Sequence, residues 1–299
     1  MAQIGIIGSG NVGANTAFFV AERNVAPVCM YDVKEGLSIG KALDMMEAAP
    51  VRGYRFPLTG TDAFGDLLDA DVLILAAGEI REPGTTREDL YPRNTAVVDD
   101  VIGKLGGYSG VIVVATEPVD PIVMRVVRAG FEPKRVIGIG GILDSARLQV
   151  LIARELRTAA QDVKATVIGR HSGDMIALPA YCSVAGVPVS MLIPEPRFAE
   201  LVLETAEGGD RIVELAKRTN SYYGPGAAAT DLAEAVIRDT RRILSVSMAL
   251  DGQYGVSGVA MSLPAMIGAG GIERVLEPRL SDEEHARFAK SAASLAAYV

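Results

Sequence analysis

The sequence predicts an α/β fold: a doubly wound parallel sheet over the first half, followed by a second half of α+β texture. Short β-branched runs alternate with helical patterns, as strands joined by crossover helices do. Most of these runs are apolar almost throughout, as strands covered on both faces are. They are Gln3 to Ile7, Val28 to Asp32, Val72 to Ala76, Val111 to Ala115 and Val136 to Ile139. After Leu143 longer elements take over: Ser145 to Leu156, Phe198 to Arg218 and Ala227 to Arg242 read as helices. Ala165 to Ile168, Ile243 to Leu250 and Val256 to Met261 read as strands. Ser281-Asp282-Glu283-Glu284 has the capping-box pattern of a helix start. The change of texture divides the chain into units 1–144 and 145–299, with no repeat, low-complexity tract or flexible linker.

A chain of 299 residues can bury a large core without disulfide or metal staples. Cys29 and Cys182 both lie in apolar runs, where a reduced core thiol is the usual state, so a reducing compartment is expected. A net charge of -8 with 22% charged residues and no basic block argues against a nucleic-acid partner. The first residues enter a strand-like run without a signal-peptide pattern. No apolar run reaches the roughly 18 residues of a membrane span, despite a mean hydropathy of +0.26. A cytoplasmic protein with no membrane partner is expected.

The first strand runs directly into Gly8-Ser9-Gly10-Asn11-Val12-Gly13, which opens the helical run Ala14 to Glu22. Glycines at this spacing permit a tight turn, a close approach of backbone to a pyrophosphate, and close packing of helix on strand. Asp32 closes the second run 19 residues after Gly13, where a carboxylate can bind both ribose hydroxyls of a dinucleotide and repel a 2'-phosphate. The unit 1–144 is thus expected to be a Rossmann-type domain that takes NAD rather than NADP.

Of the two histidines, His285 lies in the polar last helix and reads as a solvated surface residue. His171 stands in the turn Gly169-Arg170-His171-Ser172-Gly173-Asp174, at the end of a strand-like run. Asp144 and Arg147, in Leu143-Asp144-Ser145-Ala146-Arg147, share a face if a helix begins there. The acid can orient an imidazole and the guanidinium can grip a carboxylate in two places. Gly78 to Arg87, with a Pro-Gly hinge and arginines at both Arg81 and Arg87, follows the Val72 run at the carboxyl edge of the sheet. Such a loop suits closure over an anion. No metal-ligand cluster is apparent. Together these groups supply a base, an orienting acid and cations at a developing charge, which is what oxidation of a secondary alcohol needs.

The cofactor turn, the Arg81 to Arg87 loop, Leu143 to Arg147 and the His171 turn occur in the order found in lactate and malate dehydrogenases. Gly255-Val256-Ser257-Gly258-Val259 and the Glu-rich last helix are also similar, and the chain resembles that family over essentially its whole length. The resemblance implies that His171 is the general acid/base, that Asp144 holds its imidazole, and that Arg87 polarises the carbonyl oxygen. Arg147 would clamp the carboxylate beside the reacting carbon, with Asn94 and Glu117 also near the substrate. Gly8, Gly10, Asn11, Val12, Gly13, Asp32, Ala77, Gly78, Asn94 and Thr116 would hold NAD. Arg81 stands where malate dehydrogenases carry Arg and lactate dehydrogenases usually carry Gln. The implied substrate is therefore a small dicarboxylic 2-hydroxy or 2-oxo acid, (S)-malate or oxaloacetate. A homo-oligomer, tetramer or dimer, is also implied.

Two departures leave alternatives open. The family usually reads Thr-Asn-Pro where this chain has Thr116-Glu117-Pro118, and His-Gly-Asp where it has His171-Ser172-Gly173-Asp174. A dehydrogenase of another 2-hydroxy acid such as lactate, or a catalytically weak NAD-binding relative, stands beside the malate reading. So does, more remotely, a glycosidase built on the same fold. Glu117 either points into the cleft or turns aside to pair with a cation.

Overall fold

The five apolar runs of the first half become parallel strands whose carboxyl ends lie flush. The computed structural model describes residues 2–81, 84–85, 88–217 and 220–298. In it β1 (Ile4–Ile7), β2 (Val28–Tyr31), β3 (Leu58–Thr61), β4 (Val72–Leu75), β5 (Val111–Val114) and β6 (Val136–Gly138) lie in the order β6-β5-β4-β1-β2-β3. Ile7 is in register with Tyr31 and with Leu75, Leu75 with Val114, and Val114 with Gly138. The residues that follow, Gly8, Asp32, Ala76, Ala115 and Ile139, therefore line one edge, and the order reverses direction between β1 and β4. A crevice for a ligand opens at such a switch point. β3 is not announced by the sequence, because Leu58-Thr59-Gly60-Thr61 has one apolar residue and closes the sheet as an edge strand.

Helices α1 (Asn11–Glu22), α2 (Leu37–Arg52), α3 (Tyr91–Leu105) and α4 (Val119–Arg128) connect these strands, with α3 packed on α4. Next comes α5 (Gly140–Leu156), which begins directly after β6 and runs through the change of texture at residue 144. Its Leu148 and Ile152 are fully buried in a second apolar cluster with Val163, Val167, Cys182 and Leu201. Truncating either to Ala would cost about 2–5 kcal/mol and loosen the helix that carries Asp144 and Arg147. Short strands β7 (Val163–Lys164), β8 (Val167–Ile168), β9 (Ile176–Ala177), β10 (Ser183–Val184) and β11 (Val187–Pro188) surround that cluster.

Two long helices follow, α6 (Glu195–Ala216) and α7 (Tyr223–Ile237), the latter packed on α1. The sequence pattern carries α7 on to Arg242, but it stops at Ile237. Asp239 and Arg241 adopt φ of 46° and 53°, left-handed values that end a helix, and Arg242 already begins the next strand. β12 (Arg242–Asp251), β13 (Ser257–Gly268) and β14 (Gly271–Val275) are antiparallel and extend the sheet beyond β6 to nine strands among the described residues. β13 outruns the expected Val256 to Met261 by seven residues. In the last helix, α8 (Asp282–Leu295), Ser281 Oγ accepts from Glu284 N at 3.2 Å and Glu284 Oε2 from Ser281 N at 2.7 Å, the reciprocal cap that the sequence predicts. Cys29 and Cys182 are buried free thiols. No helix among the described residues is long and apolar enough to cross a membrane.

Candidate active site

A cleft of about 650 Å³ opens along the carboxyl edge of β1, β4 and β5. Gly8, Gly10, Asn11, Val12, Asp32, Ala77, Gly78, Arg81, Asn94, Thr116, Glu117, Arg147 and His171, all expected at the site, line it. Gly13 and Asp144 stand behind it, and Arg87 lies outside the described residues.

Close approach explains the glycines. A Cβ on Gly13 would sit 1.9 Å from the Gly8 carbonyl oxygen, so any side chain there would lever α1 off β1. A Cβ on Gly10 would meet nothing within 4 Å, because the turn leaves open space at the start of α1. The first-turn amides of a helix attract anions there. Asp32 Oδ2 accepts from Ser9 N at 2.7 Å and Oδ1 from Lys34 N at 3.0 Å, which leaves lone pairs on both oxygens for further donors. Val33, Leu37, Phe64 and Val101 give that end of the cleft an apolar wall. A phosphate cradle, a ribose-binding acid and an apolar slot fit NAD.

Asn94 is 1% exposed, and its amide is committed to main chain: Oδ1 accepts from Glu79 N at 2.7 Å and Nδ2 donates to Glu117 O at 2.6 Å. It knits the segment after β4 to the segment after β5. Thr116 Oγ1 donates to Ala77 O at 2.7 Å and reinforces the same junction.

His171 is brought to the cleft by strand pairing. Gly169 exchanges two backbone hydrogen bonds with Ser262 of β13, at 2.9 and 2.8 Å, and the turn then carries the imidazole toward α5. A Cβ on Gly140 would lie 2.8 Å from that of His171, so the bare start of α5 is what admits the ring. His171 Nδ1 is 2.7 Å from Asp144 Oδ2, and both groups are buried. A carboxylate here accepts from Nδ1–H and leaves Nε2 to exchange a proton across the cleft. Glu117 Oε1 is 3.3 Å from Nε2, so of the two orientations open to Glu117 the inward one is observed. Arg147, one turn beyond Asp144, holds NH1 3.6 Å from Asp144 Oδ1. Asp174 accepts from Ser172 Oγ at 2.6 Å, within the inserted turn. His285 is exposed, as expected, with its ring edge-on to Tyr254.

Asp120 and Ser247 also belong to this cluster, and sequence reasoning missed both. Asp120 Oδ2 accepts from the backbone N–H of His171 at 2.7 Å, while Oδ1 accepts from Ser247 Oγ on β12. One buried acid thus ties α4, the histidine turn and β12 together. Burial lifts its carboxyl to about 6, opposed by its hydrogen bonds from Ser247 and His171. A pKa raised in the fold favours folding below the unfolded value near 4, and that advantage is lost as pH rises through about 6. Asp120→Asn keeps an acceptor for His171 N–H and cannot ionise. Between about pH 4 and pH 6 the parent is therefore expected to lose about 3 kcal/mol relative to the variant. Denaturant titrations of both proteins across that range would read the difference, and a constant gap would contradict it.

A dinucleotide cleft that ends on an imidazole held by a carboxylate, with arginines alongside, defines an oxidoreductase that works with a bound dinucleotide. Residues 2–138 match the NAD binding domain of lactate/malate dehydrogenase, and residues 142–299 match its alpha/beta C-terminal domain. Malate dehydrogenase of Methanosarcina mazei is 41% identical over 298 residues, covering 99% of this chain and 97% of that protein. The crystal structure of Cryptosporidium parvum malate dehydrogenase has a TM-score of 0.97 at 34% identity, covering 100% of this chain and 98% of the other. Lactate dehydrogenase from the same organism, complexed with lactic acid and nicotinamide adenine dinucleotide, has a TM-score of 0.95 at 31% identity, covering 99% and 96%. The chain belongs to the lactate/malate dehydrogenase family.

Proposed function

We propose that this protein is an NAD-dependent malate dehydrogenase that interconverts (S)-malate and oxaloacetate. The observation that carries the reading is the buried His171–Asp144 pair, with Nδ1 to Oδ2 at 2.7 Å, opening onto a cleft lined by Asp32 at one end and by Arg81 and Arg147 at the other. NAD, when bound, accepts hydride from the 2-hydroxy carbon. Gly8, Gly10, Asn11, Val12, Asp32, Ala77, Gly78 and Thr116 hold it, while Gly13 keeps α1 close to β1. His171 Nε2 takes the hydroxyl proton, and Asp144 orients the ring and stabilises the imidazolium so formed. Arg147 clamps the carboxylate next to the reacting carbon, Arg87 polarises the developing carbonyl, and Arg81 meets the second carboxylate. Asn94 shapes the floor between cofactor and substrate. The unit 1–144 holds the cofactor and also brings Arg81, Arg87 and Asp144 to the substrate, while 145–299 supplies His171 and Arg147.

Glu117 sets a condition on substrate binding. An imidazole nitrogen has one in-plane hydrogen-bonding direction, so the Glu117 carboxylate beside Nε2 and the substrate oxygen compete for one place. Glu117→Asn is expected to lower the KM for oxaloacetate severalfold, with a benefit that shrinks as salt screens the repulsion of a dianion. Michaelis constants at low and high ionic strength check this; unchanged values at both would remove Glu117 from the binding site.

The protein is expected to work in the cytoplasm as a homo-oligomer, a tetramer. Ile39, Leu43 and Val51 support an oligomer, since they recur at helical spacing along α2 and are 38%, 65% and 87% exposed in the single chain. Hydride transfer itself is tested with NADH deuterated at the reactive C4 position. Deuterium at C2 of the malate formed from oxaloacetate is expected; malate without deuterium would refute the reading.

A further inference from the structure

Arg81 has a carboxylate partner within the chain itself. Its NH2 lies 2.7 Å from Asp210 Oδ1, and its side chain is only 9% exposed, so the cation sits where an unpaired charge is costly. Its main chain is held too: turned so that both groups are satisfied, the Asn220 amide donates to Arg81 O and accepts from Arg81 N, both at 2.8 Å. Asp210 has the opposite character. It sits on α6 directly after Gly208 and Gly209, the second of which lines the cleft, and its side chain is 58% exposed. The body of α6 is anchored by buried Phe198, Leu201 and Val213, so the helix holds its place without this pair. A fixed, buried guanidinium thus faces a carboxylate that is free to swing into water.

We propose that Asp210 is a specificity-determining residue, an internal counter-ion of Arg81 that the distal carboxylate of the substrate displaces. The proposal rests on the reading that Arg81 meets that carboxylate. A dicarboxylate gains less than it would from a bare guanidinium, because it replaces one charge-assisted hydrogen bond with another. A monocarboxylate loses less than it otherwise would, because Asp210 remains on Arg81 and no cation is left unpaired. Asp210 therefore narrows the gap between oxaloacetate and pyruvate, and the enzyme tolerates 2-oxo acids with uncharged side chains better than Arg81 alone would allow.

The test compares kcat/KM for oxaloacetate and pyruvate in the full-length parent, Asp210→Ala, Asp210→Asn, Arg81→Gln and the Arg81→Gln/Asp210→Ala double variant. Alanine suits an exposed helical position, and thermal melting checks that each variant is folded. Asp210→Ala is expected to raise the oxaloacetate-to-pyruvate ratio about tenfold, mainly through KM, with Asp210→Asn in the same direction. In the Arg81→Gln background the same substitution is expected to leave the ratio unmoved. A ratio unchanged by Asp210→Ala, while Arg81→Gln collapses it, would overturn the counter-ion and leave Arg81 as selector. An equal effect of Asp210→Ala with and without Arg81 would overturn the proposal in favour of a diffuse field. A ratio unmoved by Arg81→Gln would refute the reading on which the proposal rests.

Discussion

Replacing His171 by Asn is expected to lower kcat for malate oxidation by about 10³-fold or more, within the range that a positioned acid/base supplies. NADH binding should stay within severalfold of the parent. The first effect follows because Nε2 is the nitrogen that opens on the cleft while Nδ1 is committed to Asp144. The second follows because the glycine turn and Asp32 lie at the other end of the cleft from the ring. The backbone N–H of residue 171 still reaches Asp120 in the variant, so the turn keeps its tie to α4 and β12. Steady-state rates together with NADH titration by fluorescence separate the two quantities. Turnover retained within tenfold would remove His171 from the chemistry.

Arg81→Gln is expected to shift the ratio of kcat/KM for oxaloacetate over pyruvate toward pyruvate by on the order of a hundredfold. That is about 3 kcal/mol, the range of a hydrogen bond to a charged group. The residue is buried, and its guanidinium lies at the cleft against Asp210. Glutamine there still donates a hydrogen bond but no longer repays the desolvation of a second carboxylate. Efficiencies measured for the two substrates under the same conditions decide the matter, and a ratio that stays within threefold would mean that another residue selects.

The parts of the site legible in the sequence are those set by local spacing. Gly8 to Gly13 followed by Asp32 describes a strand, a turn and a helix within one βαβ unit, and such a unit has few ways to fold. Asp144 and Arg147 stand three residues apart on α5, and helical geometry alone puts them on one face. What was not legible depends on distant packing. Asp120, in the first turn of α4, reads in sequence as an acid complementing a helix dipole; only β12, more than a hundred residues away, buries it and gives it Ser247. Asp210 reads as one more polar residue on an amphipathic helix, because its partner lies across the cleft. Glu117 could be recognised as an unusual acid, yet its direction is a rotamer choice that local spacing does not set, and it falls toward His171. The edge strand β3 and the early end of α7 escaped notice for a related reason: pairing at the sheet edge and two left-handed residues overrode a weak and a strong local pattern respectively.

The proposed function requires that a dicarboxylic 2-oxo acid be reduced in a cleft that pairs NAD with His171 and the arginines. Its most direct test is the initial rate of NADH oxidation by the purified protein with oxaloacetate, set against pyruvate and other 2-oxo acids at equal concentrations. Ready oxidation with oxaloacetate is expected, at a kcat/KM above that for every monocarboxylic competitor. No oxidation with oxaloacetate, or a higher kcat/KM with pyruvate, would contradict it.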